Sequence, residues 1–96
     1  MKSVFVVYNQ ALSEQVLEAM KRVGVRGYTQ WQGIFGTGSQ GGEPHMGSHT
    51  WPSVNMAMLI MTTDELCVEL KLALRAVDAQ SPQQGLRVFS WTVDEG

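Results

Sequence analysis

Val54-Asn55-Met56-Ala57-Met58-Leu59-Ile60-Met61 decides the architecture of this 96-residue chain. Apart from Asn55 the run is apolar throughout, so neither a period of two nor one of 3.6 marks it, and length has to arbitrate. Bounded by Pro52-Ser53 before it and Thr62-Thr63 after it, the run has the length of a strand and is short for a helix. Methionine and alanine dilute the β preference, yet the reading is a buried strand. That reading sets one strand directly after another, with no helix between them.

The segment upstream, residues 25–35, carries Val25, Tyr28, Trp31, Ile34 and Phe35 with Gly27 and Gly33 interspersed, the pattern of an irregular strand that bends or bulges. Before it, Leu12, Val16, Leu17, Met20 and Val23 recur at helical spacing. Ser13 offers an N-cap, Glu14 a first-turn carboxylate and Gly24 a stop, which predicts a helix of about eleven residues. Val4-Phe5-Val6-Val7-Tyr8 is apolar on both faces, as a central strand is. Downstream, Thr62 or Thr63 caps a helix to about Ala79, with Thr62-Thr63-Asp64-Glu65 matching a capping box and Leu66, Leu70, Ala73, Leu74 and Val77 on its buried side. Ser81-Pro82-Gln83-Gln84-Gly85 is a turn, and residues 86–93 form a last strand, Leu86, Val88 and Ser90 alternating with Arg87, Phe89, Trp91 and Val93.

The order strand, helix, strand, strand, helix, strand predicts an α+β, ferredoxin-like βαββαβ arrangement: a four-stranded antiparallel sheet with both helices on one face, as a single domain over residues 1–96. No helix is left for the other face. Its apolar side chains, to which Met58 and Phe89 are assigned, are expected to pack against further subunits.

Composition narrows the function classes. A net charge of −2 with no cluster of lysine or arginine argues against nucleic acid. The longest apolar run is far below the roughly 20 residues of a membrane helix, and the first residues lack a cleavable-signal pattern, so a soluble, cytoplasmic protein without membrane insertion is expected. The single cysteine, Cys67, has no internal disulfide partner and lies beside the Leu66, Leu70, Leu74 stripe, the place of a packing residue.

Between the second and third strands lies a glycine-rich insert at about 36–52 that holds both histidines. A long insert in so small a domain is a common seat of function. Gly36, Gly38, Gly41, Gly42 and Gly47 permit positive φ and let backbone N–H groups line a concavity for an anion or small metabolite, with Trp51 and Pro52 ordering its far end. No Walker lysine follows, so the insert is not a P-loop. Glu43, His45 and His49 are three potential ligands within seven residues, a set suited to a transition metal ion, although the plainer reading of two histidines in a polar insert is that they are solvated. No nucleophile, base and orienter set is present, and no enzymatic activity is expected.

With its insert between strands two and three, the chain resembles the PII-like superfamily of trimeric signalling proteins, which includes the nitrogen-regulatory PII proteins and is close in shape to the CutA divalent-cation tolerance proteins. Gly33-Ile34-Phe35-Gly36-Thr37-Gly38-Ser39-Gln40-Gly41-Gly42 is similar to the start of a PII T-loop, and Phe89-Ser90-Trp91-Thr92-Val93 is similar in position to the last core strand. The resemblance implies a homotrimer, ligand clefts between neighbouring subunits and a T-loop that reports to a protein partner such as a transporter or enzyme. The alternative it leaves open is a CutA-like metal-binding protein using Glu43, His45 and His49. Two departures stand out. Residues 79–85 contain no lysine or arginine where PII proteins hold nucleotide phosphates, with only Arg87 following, and no tyrosine lies in the insert for modification. Weak adenine-nucleotide binding and a divergent subgroup are therefore expected.

Overall fold

The computed structural model describes residues 1–35 and 55–96. Its elements are β1 (Lys2–Asn9), a 3₁₀ turn (Gln10–Leu12), α1 (Ser13–Val23), β2 (Thr29–Ile34), β3 (Asn55–Thr62), α2 (Asp64–Gln80), a second 3₁₀ turn (Pro82–Gln84) and β4 (Leu86–Thr92). The four strands form one antiparallel sheet in the order β2-β3-β1-β4. This is the ferredoxin-like βαββαβ arrangement.

Each boundary has a local cause. Asn9, not Ser13, starts the first helical stretch, its side-chain oxygen accepting from the Ala11 N–H at 2.9 Å, so the chain enters α1 through a 3₁₀ turn. Ser13 lies inside the helix. At the other end Gly24 adopts φ 99, its N–H bonding to the Lys21 carbonyl and the Val25 N–H to the Met20 carbonyl at 3.0 Å, the pair of bonds of a Schellman motif. Thr63 caps α2 by accepting from the Leu66 N–H at 3.2 Å. The capping-box expectation is therefore met only in part: with Thr63 as cap, the third helical position is Leu66 and Glu65 has no reciprocal role.

β2 is shorter than the predicted 25–35, beginning only at Thr29, and its pairing with β3 shifts register between Trp31 and Ile34, where Gly33 takes φ 65. The predicted irregularity is thus a bulge at the glycine.

Both helices cover the same face of the sheet. Val4, Val6 and Tyr8 of β1 and Met56, Met58 and Ile60 of β3 are buried with Val16, Met20, Leu70 and Leu74 in one core. Met58 therefore belongs to the helix side, opposite Val6, and not to the uncovered face where the sequence reading put it. The residues one step along, Phe5, Leu59, Trp31, Phe89 and Trp91, alternate to the other face. There Trp31 is 45% exposed, Phe89 53% and Trp91 48%. Cys67 is buried in the core, as a packing residue.

Candidate functional site

Antiparallel pairing gathers three connections at one end of the sheet. Ile34, the last residue of β2, pairs with Asn55, the first of β3, so both roots of the 36–54 segment lie side by side. Asn55 pairs in turn with Asn9 at the end of β1. The Asn9 N–H donates to the Gly85 carbonyl at 3.2 Å, which brings in the turn before β4. This junction of Ile34, Asn55, Asn9 and Gly85 is where the fold delivers the glycine-rich insert, next to the turn that precedes the last strand.

Beneath it, Tyr8, Met56 and Leu86 share one row of the sheet on the helix side. The Ser13 hydroxyl donates to the Met56 sulfur at 2.9 Å and so fastens the first turn of α1 to the start of β3. Among the described residues the buried Tyr8 hydroxyl has no hydrogen-bond partner. Burial pushes its pKa above the ordinary tyrosine value, the nearby Ser13 hydroxyl opposes that shift, and Tyr28 adds to it.

Among the described residues, the four that make the junction, Ile34, Asn55, Asn9 and Gly85, carry no charge. Asn9, Gln10, Asn55, Gln83 and Gln84 offer amides, and Gly85, at φ 78, offers backbone. The first cation beyond the turn is Arg87, which lies opposite Val7 and so on the uncovered face. Such a site supplies hydrogen bonds in several directions but little of the positive charge that a polyphosphate requires.

The ligand residues expected from sequence, Gly36, Gly38, Gly41, Gly42 and Trp51, and the metal candidates Glu43, His45 and His49, lie outside the described residues. Among the described residues no group of three His, Cys, Asp or Glu side chains is placed to hold a metal ion. Sequence reasoning missed Asn9, Tyr8, Ser13 and Met56. An asparagine closing an apolar strand just before a helical pattern was the available signal for Asn9. No local signal marks the other three, because their relationship is made by sheet register.

With this geometry in place, comparison with known proteins decides the lineage. The chain matches the family described as nitrogen regulatory protein P-II over residues 1–95. It is a member of the P-II family. No curated protein matches it. Among solved structures, it is similar to CPII, a nitrogen regulatory PII-like protein from Thiomonas intermedia K12 bound to ADP, AMP and bicarbonate, with TM-score 0.72, 20% identity, and coverage of 94% of this chain and 82% of that one. The apo form of the same protein aligns with TM-score 0.67 and 16% identity over 96% of this chain and 89% of that one. A PII-like signalling protein from Thermus thermophilus aligns with TM-score 0.67 and 23% identity over 94% of this chain and 83% of that one. At these identities the structural likeness establishes the shared fold.

Proposed function

We propose that this P-II family chain is a single-domain, cytoplasmic homotrimer that senses a small ligand at clefts between subunits and reports its presence through residues 36–52 to a protein partner such as a transporter or enzyme. The single observation that carries the assembly is the uncovered sheet face with Phe5, Leu59, Met61, Phe89 and Trp91 on it, too apolar a surface for an isolated domain of this size. The role is regulatory, not catalytic. No helix among the described residues is long and apolar enough to cross a membrane.

The junction supports one ligand class over another. Its neutral amides and the absence of lysine or arginine from residues 79–85 disfavour a nucleotide held by its phosphates. A small anion such as bicarbonate, which the CPII structure contains, needs few charges and suits a backbone cradle. Gly36, Gly38, Gly41, Gly42 and Trp51 are the residues we assign to it. A ligand-screen thermal shift on the purified protein tests the reading, because a molecule that binds only the folded assembly raises its melting temperature. Bicarbonate should raise it more than ATP or ADP does. A larger rise with ATP than with bicarbonate overturns the ligand assignment.

The second reading is a transition-metal site at Glu43, His45 and His49, favoured by the closeness of three potential ligands in sequence. Metal analysis of protein purified without a histidine tag separates the two.

A further inference from the structure

Away from the Asn9–Gly85 junction, at the opposite end of α1, the chain forms a cleft of about 510 Å³, within the range of about 300–1,000 Å³ usual for small-molecule sites. Its making is local. The Schellman turn at Gly24 brings the Val25 N–H back onto the Met20 carbonyl at 3.0 Å, and both side chains join the core, so Met20 and Val25 close the inner side. Leu17 and Tyr28 line the cleft as well and are 41% and 46% exposed, a large apolar presence at a solvent boundary. The remaining walls are Lys21 and Arg26.

Charge is segregated around α1. Glu14, Glu18 and Arg22 line a separate groove against α2, together with Ala73, Val77 and Gln80. The cleft at Gly24 has two cations and no carboxylate, in a chain whose net charge is −2. Lys21 alone would be explained as a partner for the negative end of the helix dipole. Arg26 lies beyond the Gly24 cap, outside the helix, and neither side chain has an ion pair among the described residues.

We propose that this cleft binds a medium-chain carboxylate. The alkyl chain lies against Met20, Val25, Leu17 and Tyr28, where it removes apolar surface of both partners from water. The carboxylate sits between Lys21 and Arg26, the guanidinium offering paired donors to its two oxygens. The residues that line it all belong to one chain, so the proposal is tested separately from the functional reading above.

The test is an amide ¹H–¹⁵N titration of the full chain with octanoate and, in parallel, with 1-octanol. Octanoate should move the Gly24, Val25 and Arg26 amides to saturation, and octanol should move them at least about tenfold less tightly, a loss of about 1.4 kcal/mol. The double variant Lys21→Glu/Arg26→Glu should weaken octanoate at least about tenfold with an unchanged far-UV spectrum, because both side chains are at the surface. Arg75→Glu, an exposed change on α2, should leave the affinity as it is. Equal binding of octanol, undiminished binding by the double variant, shifts confined to Met61, Phe89 and Trp91, or no shifts at all would each overturn the proposal.

Discussion

Phe5 and Phe89 stand directly opposite each other across the β1–β4 ladder, on the face of the sheet that neither helix covers. Leu59 continues the same row on the other side of Phe5. If this row is an intersubunit contact, light scattering should give three times the chain mass. Phe89→Asp should then lower the mass to that of one chain, whereas Met58→Asp should unfold the protein, since a lone charge in the helix-side core costs several kcal/mol. A stable monomer at micromolar concentration defeats the trimer.

Tyr8 gives a pH prediction. Its folded-state pKa is raised, so above the ordinary tyrosine value near 10 the unfolded chain loses the phenolic proton before the folded one does. The stability present below that pH should fall as pH rises through the alkaline range. Tyr8→Phe removes this alkaline loss, and because the hydroxyl has no partner among the described residues, the variant should be as stable as the parent or more stable by about 1 kcal/mol at neutral pH. Urea melts at pH 7 and pH 10.5 check both statements; a large loss at pH 7 would reveal a hydrogen bond to the hydroxyl.

Two helix ends can be tested in the same melts. Thr63→Ala removes the oxygen that accepts the Leu66 N–H and should cost about 1 kcal/mol. Gly24→Ala meets no atom within 4 Å, so its cost, also about 1 kcal/mol, comes from the left-handed backbone alone.

Adenine nucleotides should bind weakly. With no lysine or arginine in residues 79–85, calorimetry should give ATP and ADP affinities on the order of millimolar, about 4 kcal/mol of binding free energy. Micromolar ATP affinity would overturn this expectation.

Substitutions in residues 36–52 separate the two ligand readings. Gly41→Val and Gly42→Val should abolish anion binding by forbidding positive φ, while His45→Ala/His49→Ala leaves it intact. Complete loss of zinc, nickel and copper binding in the double histidine variant, with wild-type binding that weakens below about pH 6, would promote the metal reading instead.

Much of the fold was legible because its signals are local. The third strand falls at Asn55–Thr62 against a predicted 54–61, and the cap of α2 at Thr63 was one of the two threonines expected. What stayed hidden was which side of the strand faces which way. A strand apolar at nearly every position has no alternation to read, so Met58 and Leu59 are interchangeable until pairing with Val6 and Phe5 fixes the register. The site divides in the same manner. The composition of residues 36–52 made that segment the sequence's candidate, and it lies outside the described residues, whereas the meeting of Asn9 with Gly85, and of Ser13 with Met56, joins residues far apart in the chain.

The strand order β2-β3-β1-β4 also has a consequence for how the molecule is made. β1 leaves the ribosome first, yet both of its neighbours, β3 and β4, come from the second half of the chain. During synthesis it has no ladder to join, and its second edge is closed only when Leu86–Thr92 has emerged. Most sheet contacts are therefore long-range and late, which slows folding and leaves an unpaired, strongly apolar edge on every incomplete chain. Truncation before Leu86 should accordingly yield aggregates that pair through β1, not a smaller folded sheet.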